Sequence, residues 1–257
     1  MDLRLVVAGF IVGTIAGVSG IGGSSLLAPV LILIFGVNAS IAIGTDLIYS
    51  VPMKVLAAVT HLRQRTVDSR VIKLLCAGGI PGALAGLFAF GLLRSHVRGH
   101  ELEQFLRHAI GVVILCAAAA AVLAHVLRPR RDDAPAVPAG EPARLRVIAI
   151  GAVVGFLVAM TSIGSGSITL PLLLLALPAV ALRSLIGSEI VFAAVMVPVA
   201  AAGHVTFGNV DWMMALSLTA GALPGAYLGA RLCLWLGDAA LRPVIIGVLA
   251  VAGAKLL

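Results

Sequence analysis

Charge is scarce in this chain: 11% of its 257 residues are Asp, Glu, Lys or Arg. A water-soluble domain carries roughly 25%, and so small a supply could not cover a solvent-facing surface. That excludes an ordinary soluble enzyme, a nucleic-acid-binding domain and a disordered chain. Cysteine is scarce as well. Cys76, Cys116 and Cys233 stand singly in apolar runs. Without metal-type spacing they read as packing residues, and no metal or cofactor is expected.

What is abundant is apolar sequence, at 61% of the chain with a mean hydropathy of +1.14. The net charge of +7, from 18 Lys and Arg against 11 Asp and Glu, fits the basic cytoplasmic loops of a membrane protein better than a nucleic-acid partner.

A membrane-spanning helix needs about 20 apolar residues. The stretches that qualify are Leu3–Ser19, Ile41–Leu62, Val71–Leu93, Leu106–Leu127, Leu145–Met160, Leu182–Val205, Trp212–Leu236 and Val244–Leu257. Two more, Ser24–Phe35 and Ser167–Leu177, are too short to cross untilted, and each follows a glycine–serine cluster. The N-terminus does not read as a signal peptide: Asp2 dilutes its basic region, and no A-x-A-type cleavage site follows. Two polar segments interrupt the pattern. Arg128–Arg146, rich in proline and charge, reads as a solvated linker at mid-chain. Arg94–His108 holds His96, His100 and His108. An i, i+4 pair there could face a metal, but an interfacial loop is the plainer expectation.

The two halves resemble each other. A shift of 143 residues aligns the chain without a gap from Gly44 to Gly86. Gly44-Thr45-Asp46-Leu47 falls on Gly187-Ser188-Glu189-Ile190, His61 on His204, and Val67-Asp68 on Val210-Asp211. Pro81-Gly82-Ala83 falls on Pro224-Gly225-Ala226. Upstream, a shift of 142 residues carries the Gly20–Ser25 region onto Ser162–Ser167, and Pro29 onto Pro171. His, Asp and Pro are too rare here for such matches to come from composition. The expected fold is therefore an all-α polytopic membrane protein of eight to ten helical segments, built from two inverted-topology repeats. Each repeat is a short broken-helix hairpin plus three long helices. The boundaries are 1–127 for the first repeat, 128–146 for a cytoplasmic linker and 147–257 for the second.

Loop charge suggests an orientation. Eleven arginines, from Arg63, Arg65 and Arg70 through the linker to Arg183, Arg231 and Arg242, fall on one side of the expected topology. Five basic residues, Arg4, Arg94, Arg98, Arg107 and Lys255, fall on the other. The first side is then cytoplasmic, and Arg94–Arg107 is a basic segment on the opposite face.

Inverted repeats with interrupted helices are a secondary-transporter pattern, with the site where the repeats meet near the midplane. Each glycine–serine cluster opens a short helix, whose start presents unpaired N–H groups to an anion. Gly20, Gly22, Gly23, Ser24 and Ser25 form one cluster, and Gly164, Ser165, Gly166 and Ser167 the other. Small residues also permit tight helix crossings, but the matched recurrence favours a substrate site. The rows Gly78-x-x-x-Gly82-x-x-x-Gly86 and Gly221-x-x-x-Gly225-x-x-x-Gly229 lack such polar company and read as packing faces.

Asp46, Lys54, His61, Glu189 and His204 fall inside apolar helices. A charge there costs roughly 2.5–3.5 kcal/mol on insertion scales, so each should face a partner or a wet cavity. Lys54 has three candidate partners: Asp46 two turns earlier, Glu189 from the other half, or a substrate anion. Asp46 and Glu189 are equivalent and could carry protons, or form a structural ion pair. His61 and His204 sit near helix ends, where an interfacial position is expected, with proton coupling as the alternative.

Together these residues resemble the sulfite exporter TauE/SafE family of membrane anion permeases, over nearly the whole chain. The resemblance rests on Gly20-Ile21-Gly22-Gly23 with Pro29, on Gly44-Thr45-Asp46-Leu47, on His61 through Val67-Asp68, and on Pro224-Gly225. Its most specific stretch is His204-x-x-x-Gly208-Asn209-Val210-Asp211-Trp212. It implies export or uptake of sulfite, sulfonates or related small sulfur-containing oxyanions across the bacterial cytoplasmic membrane, driven by protons. The first half departs from the pattern, with Arg65-Thr66 for Gly-Asn and Ser69 for Trp. Many members carry Ser where this chain has Asp46 and Glu189. The competing functions are an intramembrane serine hydrolase using Ser165 and His204, and an anion channel that needs no coupling acid.

Overall fold

The computed structural model describes residues 2–19, 24–127, 141–233, 247 and 250–257. Among these residues the chain is helical, without strands: α1 (Leu3–Ser19), α2 (Ser24–Leu33), α3 (Ala39–Arg63), α4 (Ser69–His96) and α5 (Gly99–Leu127). Then come α6 (Glu141–Thr161), α7 (Thr169–Ala176), α8 (Leu182–Thr206) and α9 (Trp212–Cys233), with a final stretch α10 over 250–256. In lipid every backbone N–H and C=O must be satisfied within the protein, which leaves helices as the solution for sequence this apolar. Five of the described helical stretches are long and apolar enough to cross a membrane: Ala39–Arg63, Ser69–His96, Gly99–Leu123, Arg144–Thr161 and Leu182–Thr206. Their outward faces carry large apolar side chains such as Phe88 and Leu145, about seven-tenths exposed.

The helix ends follow from local chemistry. Asp68 caps α4, its Oδ1 accepting from the amides of Arg70 at 2.8 Å and Val71 at 3.3 Å. Asp211 caps α9 in the same way, accepting from Met214 at 2.9 Å. After α3 and α8 the chain reverses through a left-handed residue, Arg65 at φ 53° and Gly208 at φ 68°. The amides of Thr66 and Asn209 then close back on the carbonyls of His61 and His204, both at 3.1 Å.

Two polar segments differ from expectation. Arg94–His108 is no interfacial loop: α4 continues to His96 and α5 starts at Gly99. Its Arg, Glu, Gln and Leu residues are good helix formers, and polarity alone does not break a helix. His96 Nδ1 and His108 Nδ1 lie 3.0 and 2.7 Å from the carbonyls four residues earlier on their own helices. Among the described residues no group of His, Cys, Asp or Glu could hold a metal. In the mid-chain hydrophilic stretch, residues 141–146 already belong to α6, and 128–140 lie outside the described residues.

The long helices interlock. α3 and α8 cross at the centre, while α1 packs against α9 and α4 against α6. Gly78 and Gly82 of α4 rest on the backbone of Ile148 and Ala152, and Gly221 and Gly225 of α9 on that of Val6 and Phe10. A Cβ at any of these four would collide with main chain, so the glycine rows are packing faces. Both contact sets ascend together along their partners, so α1 runs parallel to α9 and α4 to α6. α3 and α8 are antiparallel. Gly44 near the start of α3 abuts the Asn209 carbonyl past the end of α8, and Gly187 abuts that of Thr66 past the end of α3.

Candidate functional site

At the centre, a polar loop is buried where hydrocarbon would be expected. It joins α6 to α7, and Thr161, Ser162, Ser165, Ser167 and Thr169 are each no more than 3% exposed. Gly164 and Gly166 take φ of 128° and 118°, a backbone that side-chain-bearing residues rarely adopt. The loop is folded partly on itself, with Thr161 Oγ1 donating to the Leu157 carbonyl at 2.7 Å and Thr169 Oγ1 to that of Gly164 at 2.9 Å.

The remaining anchors come from α3. Ser162 Oγ donates to Asp46 Oδ2 at 2.6 Å, and Lys54 Nζ donates to the Ser165 carbonyl at 3.1 Å. The eight-residue spacing on α3 therefore brings both side chains to one loop of the other half. Of the partners open to Lys54 in the sequence, the structure shows Glu189, whose Oε1 lies 3.9 Å from Nζ. That is the outer limit of an ion pair. All three ionisable side chains are buried, Lys54 at 7%, Asp46 at 0% and Glu189 at 3% exposure. Around them Asp46 Oδ1, Glu189 Oε1, Ser165 Oγ and Ser167 Oγ have no hydrogen-bond partner. Buried groups of this kind nearly always find one, so four in one locus make this the candidate site.

The other cluster is less visible. Gly20, Gly22 and Gly23 lie outside the described residues; Ser24 and Ser25 form the first turn of α2, their side chains also outside the description. His61 is half-buried, its Nδ1 2.8 Å from Thr66 Oγ1 in its own closing turn. His204 is enclosed by the protein. It is fully buried, its Nε2 lies 2.9 Å from the Ala159 carbonyl on α6, and its ring meets Phe90 edge-on at 4.6 Å.

Several contributors were not singled out from sequence. The Asp211 amide donates to Thr45 Oγ1 at 3.1 Å, and the Asp68 amide to Ser188 Oγ at 2.8 Å. These two bonds join equivalent positions of opposite halves, as do the Gly44–Asn209 and Gly187–Thr66 contacts. The signal was present in the alignment, where Thr45 falls on Ser188 and Asp68 on Asp211. Ser162, the partner of Asp46, falls in the second glycine–serine cluster, but nothing in the sequence pairs it with Asp46.

Interlocked apolar helices around a buried, incompletely satisfied polar centre define a polytopic membrane protein. The model of the family described as sulfite exporter TauE/SafE matches residues 5–256, and the chain belongs to that family. It is 34% identical over 262 residues to the probable membrane transporter protein YjnA of Bacillus subtilis, with all of both chains covered. It is 30% identical to the probable membrane transporter protein YunE of the same organism, covering 89% of this chain and 87% of the relative. A third, YdhB, is 25% identical over 99% of this chain and all of its own length. No solved structure matches the chain significantly. The protein is thus a multi-pass membrane transporter of the bacterial cytoplasmic membrane.

Proposed function

We propose that this chain is a secondary transporter that moves small sulfur-containing oxyanions, sulfite or sulfonates, by alternating access coupled to protons. The observation that carries this reading is the Lys54 ammonium, buried between a carboxylate held only at 3.9 Å and a loop whose Ser165 and Ser167 hydroxyls lack partners. A small oxyanion needs such a set: one positive charge, and several donors at the start of a short helix. It takes the Lys54 charge from Glu189, and Glu189 then carries a proton, because an unpaired buried carboxylate is costly. Substrate and proton bind together in this scheme. Asp46 holds the loop through Ser162, and His61 and His204 fix the helix ends.

The reciprocal contacts between halves, and the antiparallel course of equivalent helices α3 and α8, support inverted repeats rocking about the site. Ser165 Oγ makes no hydrogen bond, and His204 is engaged with Ala159, which argues against a serine–histidine nucleophile.

Proteoliposome flux tests the reading. Wild type accumulates sulfite against its gradient when a proton gradient is imposed, and a protonophore abolishes this. Replacing Ser165 and Ser167 together by Ala lowers uptake about tenfold or more, the worth of one or two hydrogen bonds to a charged ligand. Glu189→Gln retains sulfite exchange but loses accumulation. Unchanged flux in the double serine variant overturns the binding assignment, and accumulation by Glu189→Gln overturns the coupling role. Downhill flux alone in wild type overturns proton coupling.

A further inference from the structure

Arg94 belongs to the basic segment that sits on the face opposite most of the loop charge, and the site above does not use it. In the fold it lines a cavity of about 300 Å3 at one end of the bundle, where the start of α3, the end of α4, the start of α5 and the turn after α8 meet. Ser40, Phe90, Gly99, Glu103 and Asn209 share the lining. Arg94 Nη1 donates to the Phe207 carbonyl and, at 3.1 Å, to Asn209 Oδ1. A guanidinium has five N–H donors, so both contacts use one nitrogen and leave the rest of the fork for a ligand. Asn209 is 7% exposed, and its Nδ2 is buried without a partner. The one carboxylate in the lining is already engaged. Glu103 accepts from both the amide and the hydroxyl of Ser40, in the first turn of a helix whose own N-cap, Asn38, supplies no side-chain bond. The partial positive charge of that helix start offsets Glu103, which leaves Arg94 and the Asn209 amide as the free donors.

We propose that this cavity is a second anion site, an entry vestibule in which Arg94 and the Asn209 amide hold a small sulfonate- or carboxylate-headed ion before it reaches Lys54. The vestibule deepens the transport reading and depends on it for the onward step. Its floor is Phe90, fully buried, edge-on to His204 and stacked 5.4 Å from Phe207. His204 in turn contacts the end of α6, from which the central loop begins. An ion in the vestibule is thus one aromatic layer away from the side chains that lead to that loop.

Gly99 provides the test, because it lines the cavity and a Cβ there meets nothing within 4 Å. Full-length Gly99→Cys protein, with Cys76, Cys116 and Cys233 replaced by Ala, is reconstituted in nanodiscs and labelled with a fluorescent maleimide. Methanesulfonate slows labelling in a saturable way and neutral dimethyl sulfone does not. Arg94→Gln weakens that protection about tenfold or more, the worth of a charge-assisted hydrogen bond; Arg94→Lys keeps part of it, and Lys54→Gln leaves it intact. Absent protection, or protection indifferent to Arg94→Gln, overturns the vestibule. Protection lost in Lys54→Gln also overturns it, by assigning the effect to the central site. Protection that persists where sulfite flux is absent upholds the vestibule while the transport reading falls.

Discussion

Lys54 is the single cation among the described residues of the buried centre, and its partners define what each substitution does. Removing it leaves Glu189 buried without positive charge, and breaking such a pair costs about 3–5 kcal/mol. Lys54→Met should therefore lower unfolding stability in detergent strongly, while Lys54→Met combined with Glu189→Gln recovers most of the loss. A double variant as unstable as the sum of the two singles would show that the 3.9 Å approach carries no coupling. Residue positions were unevenly legible. That Asp46, Lys54 and Glu189 needed interior partners followed from their apolar surroundings. That Asp46 would meet Ser162, more than a hundred residues away, did not, because long-range pairing leaves no trace in local composition. His204 shows a related limit: a position near a helix end in sequence does not tell whether another helix covers that end.

At the scale of elements, helix starts and stops were largely legible. Hydropathy marks the spans, and Asp68 and Asp211 stand where a capping residue belongs. Hydropathy failed at Arg94–His108, where amphipathic sequence continues as helix beyond the apolar run. The packing order was not legible, because self-alignment reveals which helices are equivalent but not which ones touch. The glycine contacts settle that order and give a matched pair of expectations. Gly78→Ala and Gly221→Ala each push a methyl group into the backbone of the facing helix, and overpacking costs about 1–3 kcal/mol. Chemical unfolding in detergent should find both variants destabilised to a similar degree. A large loss at one site and none at the other would show that the two crossings are not equivalent in energy.

On the whole-molecule scale the same logic concerns sidedness. Arg63 and Thr206 end α3 and α8, and both are exposed. With α3 and α8 antiparallel, Arg63→Cys and Thr206→Cys introduced singly should react with a membrane-impermeant thiol reagent from opposite faces of intact cells. Labelling of both from one face would exclude the inverted arrangement. The interlocking of the halves has a consequence for how the protein is made. α1 is synthesised well before α9, yet α9 is its main contact. Val6 meets Gly221 only after some two hundred further residues have been added, about 10–40 s at ordinary ribosomal speeds of roughly 5–20 residues per second. Through that interval the first helix sits in the bilayer without its mate, exposed to wrong partners and to quality-control proteases. Neither half can be completed in the absence of the other, so packing of α1 waits until α9 has been made.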